Sequence, residues 1–248
     1  MTGNEKKIVG AAAAAALMVL LAPAAGAMHI MEGYLPAGYC LLWGAVCLPF
    51  LADGVLTVRR RLRENRSLIT LLAMSGAFVF VISSLKIPSV TGSCSHMTGT
   101  GLGAILFGPA AVSVLGLIVL IFQAVLLAHG GLTTLGANTF SMAVAGPLVT
   151  WGIYRLGCRL KWNRRVTVFL AAALGDLFTY CVTAFQLALA HHGDVSFGTA
   201  LTKFLLVFAP TQVPLALIEG LITALIVMGL ETYARPELRA AGYFGEEK

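Results

Sequence analysis

Charge is what this chain of 248 residues has least of. Charged residues make up 11% of it and hydrophobic residues 58%, whereas a soluble domain carries roughly 25% charged residues. Together with a mean hydropathy of +0.87, this excludes an ordinary soluble fold and points to an integral membrane protein. Other absences narrow the function. No Gly-Lys dipeptide occurs, so the chain has no P-loop and hydrolyses no ATP itself. No His is followed by Glu, which removes the H-E-x-x-H protease helix. The five cysteines (Cys40, Cys47, Cys94, Cys158 and Cys181) include no C-x-x-C pair, and those inside apolar stretches read as small core residues. No apolar segment carries the row of paired acids expected of a proton- or sodium-driven antiporter. These gaps argue against an enzyme. The net charge of +6 is no nucleic-acid footprint either, because the basic residues lie in short loops between apolar stretches.

Those stretches run over 37–57, 67–87, 101–129, 137–157, 166–191 and 200–232, and most are long enough to cross a bilayer. Two basic loops separate them, Arg59 to Arg66 and Arg155 to Arg165. Positive-inside logic places both, and the charged tail, in the cytoplasm. The start of the mature chain then lies outside. Parity constrains the middle: an odd number of crossings must join residues 88–100, outside, to the second basic loop. A single span over 101–129 gives an even number. Gly108-Pro109 interrupts that stretch, and Pro breaks the helical hydrogen-bond ladder. The expectation is therefore two short crossings there, with a re-entrant 101–108 as the alternative. The fold class expected is an all-α membrane bundle of about seven transmembrane helices after removal of a leader. Pro210 and Pro214 predict that the last stretch is one long helix with a break, or a short entry segment followed by a full span.

The leader is the segment 1–27. Lys6 and Lys7 form a basic start, Ile8 to Leu21 an apolar run, and Ala25-Gly26-Ala27 a small-residue cleavage site. Residues 28–248 are then the membrane domain. A cut after Ala27 leaves Met28 with a free α-amino group and His29 as the second residue. The amine, the His29 amide nitrogen and the His29 Nδ1 can hold one ion in adjacent chelate rings. Their near-planar nitrogens suit Ni(II), Cu(II) or Co(II). The alternative is an uncleaved first helix followed by an incidental histidine.

The loop Pro88 to Thr100 is polar, small and rich in hydroxyls, yet lies between two membrane helices. On this topology it shares the outer face with Met28 and His29. An imidazole from His96 completes a four-nitrogen plane begun by Met28 and His29. Ser93, Ser95 and Thr98 are candidates for hydrogen bonds that orient it. Cys94 and Met97 offer sulfur and are read as structural. His129 and the pair His191-His192 are possible ligands read as interfacial residues. Asp53, Asp176 and Glu219 are acids within predicted helices, and Lys203 lies near the start of the last stretch. Ionisable groups in a membrane are costly and tend to have a role.

The mature start, Met28 to Pro36, resembles that of the membrane substrate-binding component of energy-coupling-factor importers for cobalt, the cobalamin-biosynthesis type. Ile87 to His96 is similar to that family's loop, as are Leu127 to Asn138 and Ser141-Met142-Ala143. Met97 stands where many relatives have Pro. The resemblance implies seven helices, with the N-terminal tail dipping into the bundle from outside. It implies a substrate-capture component for Co(II), bound by the Met28 amine, the His29 amide and imidazole, and His96, with no prosthetic group. It also implies partners: a coupling transmembrane subunit, two cytoplasmic ATPase subunits of the ABC type and a small auxiliary membrane subunit, in the inner membrane. ATP hydrolysis in those partners would drive release, supplying cobalt for cobalamin biosynthesis. The sister branch carries Ni(II) on the same ligands, and Met31-Glu32-Gly33 looks more like the cobalt branch. A stand-alone divalent-cation permease is the rival class; it needs a continuous acid-lined path.

Overall fold

The computed structural model describes residues 29–85, 87–88 and 94–243; the leader, Met28 and Ser93 lie outside them. The elements, in order, are α1 Ala37–Glu64, α2 Leu68–Ser84, β1 Ile87–Pro88, β2 Cys94–Ser95, α3 Thr100–Phe107, α4 Pro109–Leu127, α5 Leu135–Asn138, α6 Gly146–Arg159, α7 Arg164–His191, α8 Phe197–Tyr233 and α9 Arg235–Ala240. A π-helical stretch, Thr139–Ala145, joins α5 to α6. Pro147 near the start of α6 cannot donate a backbone hydrogen bond, and a wider turn ahead of it accommodates that loss. The two short strands pair antiparallel, Ile87 against Ser95.

Two apolar clusters mark the ends of the bundle. One gathers Ile30, Leu35, Trp43, Ala137, Leu187 and Phe208. The other gathers Leu68, Phe107, Tyr154, Val168, Val227 and Tyr243. Following the described chain between them gives seven passes: α1, α2, the segment 94–107, α4, α5 through α6, α7 and α8. The third pass is unusual, because irregular chain covers its first half and the eight-residue α3 its second. The turn after it is the one the sequence marks. Gly108 adopts φ +79° and ψ 164°, a conformation open to glycine, and Pro109 opens α4. The stretch is thus divided at Gly108-Pro109, and the pass before the division is only half helical.

The last stretch differs from expectation. α8 runs unbroken through Pro210 and Pro214 for 37 residues. In a packed bundle, neighbouring groups satisfy the carbonyls that proline leaves unpaired. Its start is capped by Ser196, whose Oγ accepts from the Thr199 N–H at 3.2 Å. Asn163 caps α7 likewise, accepting from the Arg165 N–H at 3.0 Å. At the far end, Arg164 Nε lies 2.5 Å from Glu231 Oε1, and the Tyr243 hydroxyl donates to the same oxygen at 2.7 Å. This ties the tail to α7 and α8. Leu41, Leu48, Leu56, Met74, Val81, Val125 and Leu206 point outward, as lipid-facing side chains do.

Close backbone approach holds α1 to α5. A Cβ on Gly136 would lie 2.5 Å from the Gly44 nitrogen and 2.6 Å from its Cα, and neither backbone can give way cheaply. Overpacking of this kind costs about 1–3 kcal/mol. Gly136→Ala is expected to lower the thermal unfolding temperature of the purified protein in detergent. An unchanged transition would show that the two helices separate without penalty.

Candidate metal centre

The segment before α1 is pinned across the top of the bundle by side chains that stand in for a strand. Asn138 Oδ1 accepts from the Ile30 N–H at 2.8 Å, and Asn138 Nδ2 donates to the Ile30 carbonyl at 3.0 Å. The Thr134 hydroxyl adds a bond to that carbonyl at 2.6 Å. Further along, Gly33 N–H donates to Thr133 Oγ1 at 3.3 Å. The Thr133 side chain and amide hold the exposed Glu32 carboxyl below the usual range. Tyr34 stacks near His191, ring centroids 4.7 Å apart, and its carbonyl meets His191 Nε2 at 3.0 Å. With Ile30 and Leu35 buried in the apolar cluster, this strap delivers His29 inward.

His96 arrives from the other side, on the irregular segment that begins the third pass. Its carbonyl accepts from the Tyr180 hydroxyl. Its Nδ1 lies 2.8 Å from the Met97 carbonyl. A carbonyl only accepts, so that nitrogen carries the proton and Nε2 presents its lone pair. That lone pair faces His29 Nδ1 at 2.9 Å, which makes the His29 nitrogen the donor of this contact. An orienting bond of this kind on the far nitrogen is what metal-ligating histidines use.

His129 is the third member. It follows α4 through Ala128, whose positive φ of 46° turns the chain sharply, and its N–H caps the Gln123 carbonyl at 3.1 Å. The sequence reading made it an interfacial residue. It is instead buried, at 2% exposure, beside His29 at 2% and His96 at 0%. The ring centroids of the three lie 4.6–4.8 Å apart, and their ligand atoms fall within 4.8 Å of one another. Three buried imidazoles that converge on one point suit a borderline transition-metal ion. The spacing fits as well. Two nitrogens each about 2.0–2.1 Å from one ion and at right angles around it are about 2.9 Å apart.

Residues 29–238 match the model of the cobalt uptake substrate-specific transmembrane region. The chain belongs to this family. It is 64% identical over 245 residues to the cobalt transport protein CbiM of Lachnoclostridium phytofermentans, covering 98% of this chain and 97% of that one. It is 56% identical to the protein of that name from Chlorobium limicola, over 93% of this chain and 91% of that one. A crystal structure of a transition metal transporter superposes with a TM-score of 0.73 at 30% identity, covering 84% of this chain and 94% of that one. A truncated transition metal transporter gives 0.71 at 28% identity, covering 83% and 99%.

In this member of the family the remaining polar residues fall into place around the histidines. Ser95 Oγ contacts Thr211 Oγ1 at 2.8 Å. The Thr98 hydroxyl donates to Glu219 Oε1 at 2.9 Å, so both residues hold the backbone of the loop. Met97 is buried, and its carbonyl rather than its sulfur serves His96. His192 stays exposed at the rim, its Nδ1 near the Gly193 carbonyl at 3.1 Å. Asp53 and Lys203 lie at the surface of the bundle. Asp176 and Glu219 do not: both are buried beneath His96. Their types and positions in apolar helices were the signal. Their meeting at one loop was not visible without the fold.

Proposed function

We propose that this chain captures Co(II) at the outer face of the cell membrane for an ATP-driven importer. Signal peptidase frees Met28, and the Met28 amine, the His29 amide, His29 Nδ1 and His96 Nε2 form a four-nitrogen plane. The observation that carries this is the 2.9 Å approach of His29 Nδ1 to His96 Nε2, the separation of neighbouring corners of such a plane. His129, packed against both rings, closes the site from the side. Binding moves the His29 proton from Nδ1 to Nε2 and costs the amine and the amide one proton each, so it releases protons and strengthens as pH rises.

Several features support the wider role. Relatives at 56–64% identity are named cobalt transport proteins. The basic loops lie at the end of the bundle opposite the histidines, and the positive-inside bias supports a site that faces outward and a C-terminus in the cytoplasm. The chain has no nucleotide-binding motif of its own. We assign the work of release to a coupling membrane subunit, two cytoplasmic ATPase subunits and a small auxiliary membrane subunit. Cobalt delivered this way serves cobalamin synthesis. The nitrogen set also admits Ni(II), and the Met31-Glu32-Gly33 sequence after the ligands favours cobalt by resemblance.

N-terminal sequencing of the protein purified from membranes, with metal analysis of the same sample, tests the reading. The expected first residue is Met28, with one cobalt ion per chain. A retained leader, or a mature chain that binds no Co(II) on addition, overturns it.

A further inference from the structure

This inference rests on the reading of His96 as a metal ligand. The segment Ser95–Gly99 is buried and belongs mostly to no helix or strand, so its backbone polar groups must find partners elsewhere. Those partners come from α7 and α8. Tyr180 and Asp176 lie one turn apart on α7; Thr211 and Glu219 project from α8. Glu219 does most of the holding. Its Oε2 accepts from the Thr98 N–H at 2.6 Å, and its Oε1 from the Gly99 N–H at 3.0 Å and the Thr98 hydroxyl at 2.9 Å. Asp176 Oδ1 faces the same Thr98 N–H at 3.2 Å. His29 hangs on other elements, through Asn138 and Thr134.

We propose that Glu219 is the positioning residue that seats His96, and that it makes the placement of the second imidazole follow the α7–α8 pair. The polar anchors beside the two imidazoles thus lie on different elements: Ile30, next to His29, is hydrogen-bonded by Asn138 of α5 and by Thr134 just before it, and Thr98, near His96, by α7 and α8. The physical reason for a carboxylate is its acceptor capacity. Two oxygens take two amide N–H groups and a hydroxyl at once, whereas a glutamine turns an N–H₂ toward those donors. Thr98 is two residues from His96, too short a tether to absorb a shift of the anchor. When α7 and α8 move against α5, His96 Nε2 separates from His29 Nδ1 and the plane opens. This supplies the step that converts partner-driven helix movement into loss of grip on the ion.

The test is a double-mutant cycle on Co(II) affinity in the mature full chain, because coupling between two residues separates positioning from general destabilisation. Glu219→Gln is expected to weaken Co(II) binding about tenfold or more, the range seen when partners of metal ligands are removed. In a His96→Ala background the same substitution should add nothing. Loss of equal size in both backgrounds, or no loss in either, overturns the proposal. If Glu219→Gln does not fold, Tyr180→Phe, which removes one neutral hydrogen bond to the His96 carbonyl, carries the same cycle with an expected loss of roughly threefold. Hydrogen exchange at the Thr98 and Gly99 amides in metal-free protein reads the clamp independently of any ion. It should quicken with Glu219→Gln and stay unchanged with His96→Ala; unchanged exchange in the first variant overturns the clamp. Native Co(II) affinity in His96→Ala alone overturns the capture reading instead.

Discussion

His96→Ala is expected to lower the affinity of the mature protein for Co(II) by at least about 100-fold. Residues that only orient a ligand are worth about 10–100-fold, so loss of the ligand itself sits at or beyond the top of that range. The fold should survive, because the imidazole ends a loop whose backbone is secured by Tyr180, Thr211 and Glu219. The remaining three nitrogens leave one corner of the plane open to water, and the ion then exchanges faster. Equilibrium dialysis with Co(II) and an uptake assay in cells read the two consequences. A variant that retains affinity and uptake removes His96 from the site and leaves His29 and His129 as its imidazoles.

Retaining the leader is expected to be as damaging. Replacing Ala25 and Ala27 with leucines removes the small-residue signal that the peptidase reads. Met28 then contributes an amide nitrogen in place of an amine. An amine has an ordinary pKa near 8 and gives up its proton readily to a metal, whereas an amide inside the chain resists. Membranes holding the uncleaved form should take up no cobalt above background, while the protein accumulates normally on a gel. Full uptake by a chain shown by mass spectrometry to keep its leader would refute the role of the amine.

Most of the helical plan was legible in the sequence, because apolar runs in a membrane protein answer to bilayer thickness. The break at Gly108-Pro109 was readable for a local reason: one residue needs positive φ and the next lacks an N–H. The unbroken course of α8 was not, since nothing local tells a proline that a packed helix tolerates from one that ends it. The site divides in the same way. His29 and His96 could be paired because motif and topology put both at one face. His129 could not be ranked above His191 or His192, because burial decides between them and burial depends on the strap folding over Gly130 and Gly131. Asp176 and Glu219 stood out as acids in apolar helices, but 43 positions separate them in the sequence, and nothing local announces that both face Thr98.

The half-helical third pass has a consequence for how the molecule is made. Eight helical residues rise about 12 Å, against roughly 30 Å of hydrocarbon, so this segment has too little apolar length to enter the lipid as an autonomous unit. Its exposed amides tolerate hydrocarbon only when other protein groups receive them. The receiving groups are Asp176 and Glu219, and the ribosome adds Glu219 close to the end of translation. The loop that carries His96 therefore has its full set of backbone partners only when the final helix arrives.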